Sequence, residues 1–157
     1  MSKGSYMIHR HLIGDLVENA VMQLGDLPDI YIITPFTSVK ASLNDKLRPL
    51  LNRIFTKSNH PGENLEKIDA WLKDHCGTIH TFQGKEANEV LLLLGCDGSA
   101  GLSAAKLVGQ KPNIINVALS RAKYRVGIIG CFNLWSQISY VSEVCELLKD
   151  NRVKLDG

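Results

Sequence analysis

The sequence predicts an α/β sandwich with a mainly parallel sheet, and three observations carry that expectation. The runs "IYIIT" (30–34) and "VLLLLG" (90–95) have the unbroken apolar character of strands covered on both faces. Segments with apolar residues at helical spacing lie between and around them, so strands and helices alternate along the chain. A length of 157 residues fits one domain with a sizeable core.

Taken in order, residues 10–24 read as a helix with Leu12, Ile13, Leu16, Val17, Ala20, Val21 and Leu24 on one stripe. Leu27-Pro28-Asp29 breaks it before the strand at 30–34, which Thr34-Pro35 ends. Residues 38–55 form a second helix on Val39, Leu43, Leu47, Leu50, Leu51 and Ile54. The polar loop "TKSNHPGEN" (56–64) contains a Pro-Gly turn. A third helix at 65–75 uses Leu65, Ile68 and Leu72, with Gly77 placed to end it. After the polar stretch 78–89 and the strand at 90–95, the small residues of 96–112 read as a loop or a ragged helix. A helix at 113–122, a strand at 124–129 and a closing helix at 132–149 complete a single domain, residues 1–157. Its core is expected over about 29–149, with the helix at 10–24 added at the front.

The composition is 45% apolar and 22% charged, which excludes disordered and fibrous classes. A net charge of +2 is too small to announce nucleic acid, so any anion-binding surface must be local. Cys76, Cys96, Cys131 and Cys145 form no C-x-x-C pair, and free thiols in a reducing cytoplasm are expected, with no metal site. No apolar run approaches the length of a membrane span, and a soluble protein without a membrane partner is expected.

Ligands of open parallel sheets gather beyond the carboxyl ends of the strands. That rule would line up "TPF" (34–36), "TFQGKE" (81–86), the loop after Leu94 and the segment after Ile129 along one rim. Within "TIHTFQGKEANEV" (78–90), Gly84 would let backbone approach a ligand, Glu86 could accept from ribose hydroxyls, and His80 and Thr81 could touch a phosphodiester chain. The alternative is a strand and turn with solvated polar groups. Phe36 either stacks on a base or belongs to the core.

The junction "NVALSRAKYRVGIIG" (116–130) sets Arg121, Lys123 and Arg125 between a helix and a strand. Cations at a helix C-terminus favour the dipole, which is one explanation. The other is that a guanidinium fixed at an element end meets phosphate oxygens. No phosphate-cradling G-x-x-x-x-G-K-[ST] loop occurs in the chain, because Gly84-Lys85 is followed by Glu86.

Together "IYIITPF", "TIHTFQGKEANEVLLLLG" and "KPNIINVALSRAKYRVGIIG" resemble motifs IV, V and VI of superfamily 1 DNA/RNA helicases. They look most like the branch of the nonsense-mediated-decay RNA helicase, over about residues 29 to 132. The resemblance implies the second (C-terminal) RecA-like domain of such a motor, a P-loop NTPase-type three-layer sandwich lacking its own P-loop. It implies that Arg121 is an arginine finger reaching the γ-phosphate of ATP, and that Gln83, Gly84 and Glu86 border the nucleotide. It further implies that Thr34, Pro35, Phe36, His80 and Thr81 line a track for single-stranded DNA or RNA. ATP and Mg²⁺ would be bound jointly with a P-loop-bearing first domain, in the same parent chain or a separate one. The chain carries neither the P-loop nor the magnesium-binding acids of that first domain, so it is expected to hydrolyse no ATP alone. Its helix "SVKASL" also departs from the Gln-then-Arg of many relatives. The alternative is a non-catalytic module that binds nucleic acid or protein.

Overall fold

A computed structural model describes residues 4–58, 64–95 and 98–151. Helix α1 (Gly4–Leu24) precedes strand β1 (Ile30–Thr34), and α2 (Thr37–Lys57) and α3 (Asn64–His75) lead to β2 (Cys76–Thr78). A 3₁₀ turn (Ile79–Phe82) opens the passage to β3 (Ala87–Gly95), after which come α4 (Gly98–Gly109), α5 (Pro112–Leu119) and β4 (Ala122–Gly130). Two short helices, α6 (Phe132–Trp135) and α7 (Val141–Leu147), and a 3₁₀ turn (Lys149–Asn151) finish it. The four strands form one parallel sheet in the order β2-β1-β3-β4. This is the α/β sandwich that the alternation of elements predicts, and its architecture is consistent with a RecA-like fold.

Each face of the sheet has its own core, because the two faces of a strand carry alternate residues. On the first face Ile32, Leu91, Leu93 and Ile129 pack against Ile13 and Val17 of α1, Leu47 and Leu51 of α2, and Ile68 and Trp71 of α3. On the second face Ile33, Val90, Leu92 and Leu94 meet Ile79 and Phe82 of the 3₁₀ turn, Ala105 and Val108 of α4, Ile115 and Ala118 of α5, and Trp135 of α6. Burying a large aliphatic side chain contributes roughly 1.5–3 kcal/mol, and β1 and β3 are buried on both sides. That explains their unbroken apolar runs. Two indoles staple the layers: Trp71 Nε1 donates to the Pro28 carbonyl and Trp135 Nε1 to the Gly95 carbonyl, both at 3.0 Å.

The structure refines or departs from the sequence reading at several places. Gly77 does not end α3 but lies in β2, where a Cβ would stand 2.7 Å from Thr81 Cβ. The glycine is there for space. Of the loop and the ragged helix expected over 96–112, residues 98–109 take the helix, since Ala105 and Val108 find a buried face. The helix before β4 stops at Leu119, and β4 is already extended at Ala122. The expected closing helix is interrupted between Trp135 and Val141: α6 ends with its cap at Ser136, and α7 starts after Tyr140, whose φ of 65° turns the chain between them. No helix among the described residues is long and apolar enough to cross a membrane.

Candidate functional site

The order of strands puts a switch point between β1 and β3. The chain leaves β1 into α2 on the first face and β3 into α4 on the second, and such divergence opens a crevice above the sheet. Thr34 of β1 pairs in register with Thr78 of β2, so the segments 34–36 and 79–81 leave the sheet side by side.

At this carboxyl rim the expected residues divide into presenting and supporting groups. His80 is exposed, and Pro35 and Phe36 are half-buried. Phe36 packs on the second core, so much of its ring is structural. Thr34 is only 1% exposed, and its Oγ1 accepts from the Phe36 N–H at 3.3 Å. Its hydroxyl holds the turn, so the Thr34 side chain supports this rim from beneath rather than being presented on it. Thr81 is half-buried, with its side chain laid over Gly77.

The expectation of one continuous rim is also corrected. Residues 79–86 carry the chain from the carboxyl end of β2 back to the amino end of β3, so "TFQGKE" straddles the sheet rather than following one edge. Phe82 to Lys85 form a type II turn: Gln83 has φ −60° and ψ 121°, Gly84 has φ 78°, and the Lys85 N–H donates to the Phe82 carbonyl at 3.1 Å. A Cβ on Gly84 would meet nothing within 4 Å, so the turn demands glycine for its positive φ and not for room. Gln83, Gly84, Lys85 and Glu86 are all exposed.

Arg121 lies at this same amino rim, half-buried at the end of α5. Its Nε donates to the Val117 carbonyl at 3.2 Å, Nη1 to the Lys85 carbonyl at 3.3 Å, and Nη2 to the Ser120 hydroxyl at 3.1 Å. The backbone completes the link, because the Ala87 N–H donates to the Arg121 carbonyl at 3.0 Å. The guanidinium is therefore fixed against the turn that carries Gln83, Gly84 and Glu86. Of the five donors a guanidinium owns, two remain without an acceptor among the described residues. Arg125 is paired with Glu89, its register partner across β3 and β4, whereas Lys123 is exposed with no ion-pair partner among the described residues.

Beneath the turn lies an aromatic cluster that the sequence did not signal, since its members come from three separate elements. The His75 ring stacks on Trp71 at 5.1 Å and meets Tyr31 edge-on at 5.5 Å, while Tyr31 lies 4.4 Å from the Phe82 ring. His75 Nδ1 donates to the Trp71 carbonyl at 3.3 Å. Burial pushes the His75 pKa down, against the opposing pull of that carbonyl and of Asp29 and Asp74, with Lys85 adding to the depression. Burial likewise raises the Tyr31 pKa, with help from Asp29 and Asp74. Asp29 also anchors the start of β3, its carboxylate accepting from the Asn88 N–H at 3.0 Å. Among the described residues no group of three His, Cys, Asp or Glu side chains is placed to hold a metal ion.

A parallel sheet wound from both faces, with polar segments at both ends, defines an α/β domain of the RecA-like class. A family model described as an AAA domain matches residues 5–133, and the chain belongs to that family, a domain found in superfamily 1 helicases. A search of curated proteins found no match.

Proposed function

We propose that the chain is the C-terminal RecA-like half of an ATP-dependent superfamily 1 helicase or translocase, of the branch of the nonsense-mediated-decay RNA helicase. Its amino rim would close on ATP held by a P-loop-bearing domain, and its carboxyl rim would grip single-stranded nucleic acid. The observation that carries this reading is the Arg121 guanidinium, pinned by three bonds beside the 82–85 turn and retaining two donors for another acceptor. Such preorganisation suits a group that must stabilise charge developing on a transferring phosphoryl group. ATP and Mg²⁺ would supply the reactive phosphate and its charge neutralisation. Arg121 would add positive charge from the opposite wall, and Glu86 would accept from the sugar hydroxyls. Strand contacts would fall to His80, Pro35 and the exposed part of Phe36, with Thr34 and Thr81 positioning them.

A second reading has its own support. The bond from Arg121 Nε to the Val117 carbonyl also caps the end of α5, so the arginine could serve structure alone in a non-catalytic binding module. Joining the chain to a P-loop-bearing first domain separates the two. The motor reading predicts no ATP turnover above background for residues 1–157 alone and strand-stimulated turnover after joining. Turnover by the isolated chain, or none after joining to a folded, ATP-binding partner, would contradict it.

A further inference from the structure

Strand β4 closes one side of the sheet, and its burial does not match its fold. All-parallel sheets are covered on both faces, and β3, nine residues long, is buried from Val90 to Gly95. In β4, also nine residues long, only Ile129 is buried. Tyr124 is 79% exposed and Val126 37%. The outer edge is open as well. Strand β4 pairs with β3 alone, and among the described residues no other backbone hydrogen bond reaches Ala122–Gly130. A ladder on one side leaves the remaining N–H and C=O groups pointing outward, ready to pair with another chain.

The two faces of this edge differ in chemistry. Arg125, Gly127 and Ile129 pair with Glu89, Leu91 and Leu93 and so lie on the first face, and alternation sets Lys123 beside them. Tyr124, Val126 and Ile128 lie on the second. Glu89 is already paired with Arg125, and Lys123 has no ion-pair partner among the described residues. On the adjoining turn Lys85 and Glu86 offset each other, so the first face of the edge stays cationic. Edge lysines commonly keep like edges apart, which accounts for Lys123. It does not account for a tyrosine and a valine exposed on the other face of the same strand. A second copy of the chain would bring the same cations to the joint, where like charges oppose pairing. A strand that completes this edge must offer carboxylates to Lys123 and Arg125, and apolar side chains to Tyr124 and Val126.

We propose that the outer edge of β4 is a docking site for an extended segment of a partner protein, with alternating acidic and apolar residues, which adds a further strand to the sheet. This goes beyond the motor reading and does not depend on it. The test titrates the full chain with a labelled, end-blocked peptide of about eight residues that alternates Glu and Val. A peptide of the same length that alternates Lys and Val is expected to bind at least about tenfold more weakly, and Lys123→Glu to weaken the Glu/Val peptide by about tenfold. A strand has two edges and only one can bond to β4, so N-methylation of alternate residues should abolish binding in one set and spare it in the other. Equal effects of the two methylated sets overturn the added strand. Equal affinity for the Glu and Lys peptides, or an unchanged affinity in Lys123→Glu, overturns the acidic partner. No binding of the Glu/Val peptide overturns the site. Self-association of the unsubstituted chain in sedimentation, lost in Tyr124→Lys, assigns the edge to a second copy and overturns the proposal.

Discussion

Arg121 has an observed structural duty, and the proposed function asks a second one of it. Its bond to Val117 caps α5 and those to Lys85 and Ser120 fix the guanidinium at the rim, and such fixation is what a charge-stabilising group requires. The sequence made this position legible through its neighbours, because a lone arginine at a helix end has a sufficient explanation in the dipole. It did not reveal that the Lys85 carbonyl would be one of the partners, a contact made across 36 positions of chain. Gly84 carries a separate consequence. With φ 78° it holds a conformation that a Cβ disfavours by roughly 1–2 kcal/mol. Gly84→Ala should lose about that much stability in urea melts although open space surrounds the site, and a stability unchanged within error would show that the turn relaxes.

The elements divide into those announced by periodicity and those set by distant packing. Strand β1 and helices α2 and α3 are readable because their apolar residues fall on faces that the sheet buries. The passage from β2 to β3 is not, since three residues of β2 and one 3₁₀ turn do the work usually given to a crossover helix. Hence a polar motif that reads as one segment reaches both ends of the sheet. The break in the closing helix is likewise not legible, because apolar spacing continues through the turn at 136–140 that separates α6 from α7. Where α3 hands over to β2, His75 is kept neutral by burial between Trp71 and Tyr31. Its folded pKa lies below its unfolded value, so its contribution to stability is complete above about pH 6.5 and is lost as pH falls through the lower folded value. Thermal melts from neutral to mildly acid pH should show stability falling, and His75→Phe should flatten that dependence. A variant with the wild-type pH slope would remove His75 from the account.

For the whole molecule, the division of labour follows from the winding of the sheet. Diverging helices open the carboxyl end at the β1–β3 switch, while the short return through residues 79–86 and the end of α5 meet at the amino end. One domain thereby carries polar segments at both ends of its sheet, the arrangement that the proposed coupling of nucleotide to strand calls for. Fold class and motif order were legible from the alternation of elements and from three local motifs. The assignment of residues to rims was not, because it depends on strand register. The most direct measurement is single-turnover ATP hydrolysis by the chain joined to a P-loop-bearing first domain, with ATP binding followed in parallel. Arg121→Ala should slow hydrolysis about a thousandfold or more while leaving the nucleotide bound. Hydrolysis at the unsubstituted rate in that variant would contradict the account.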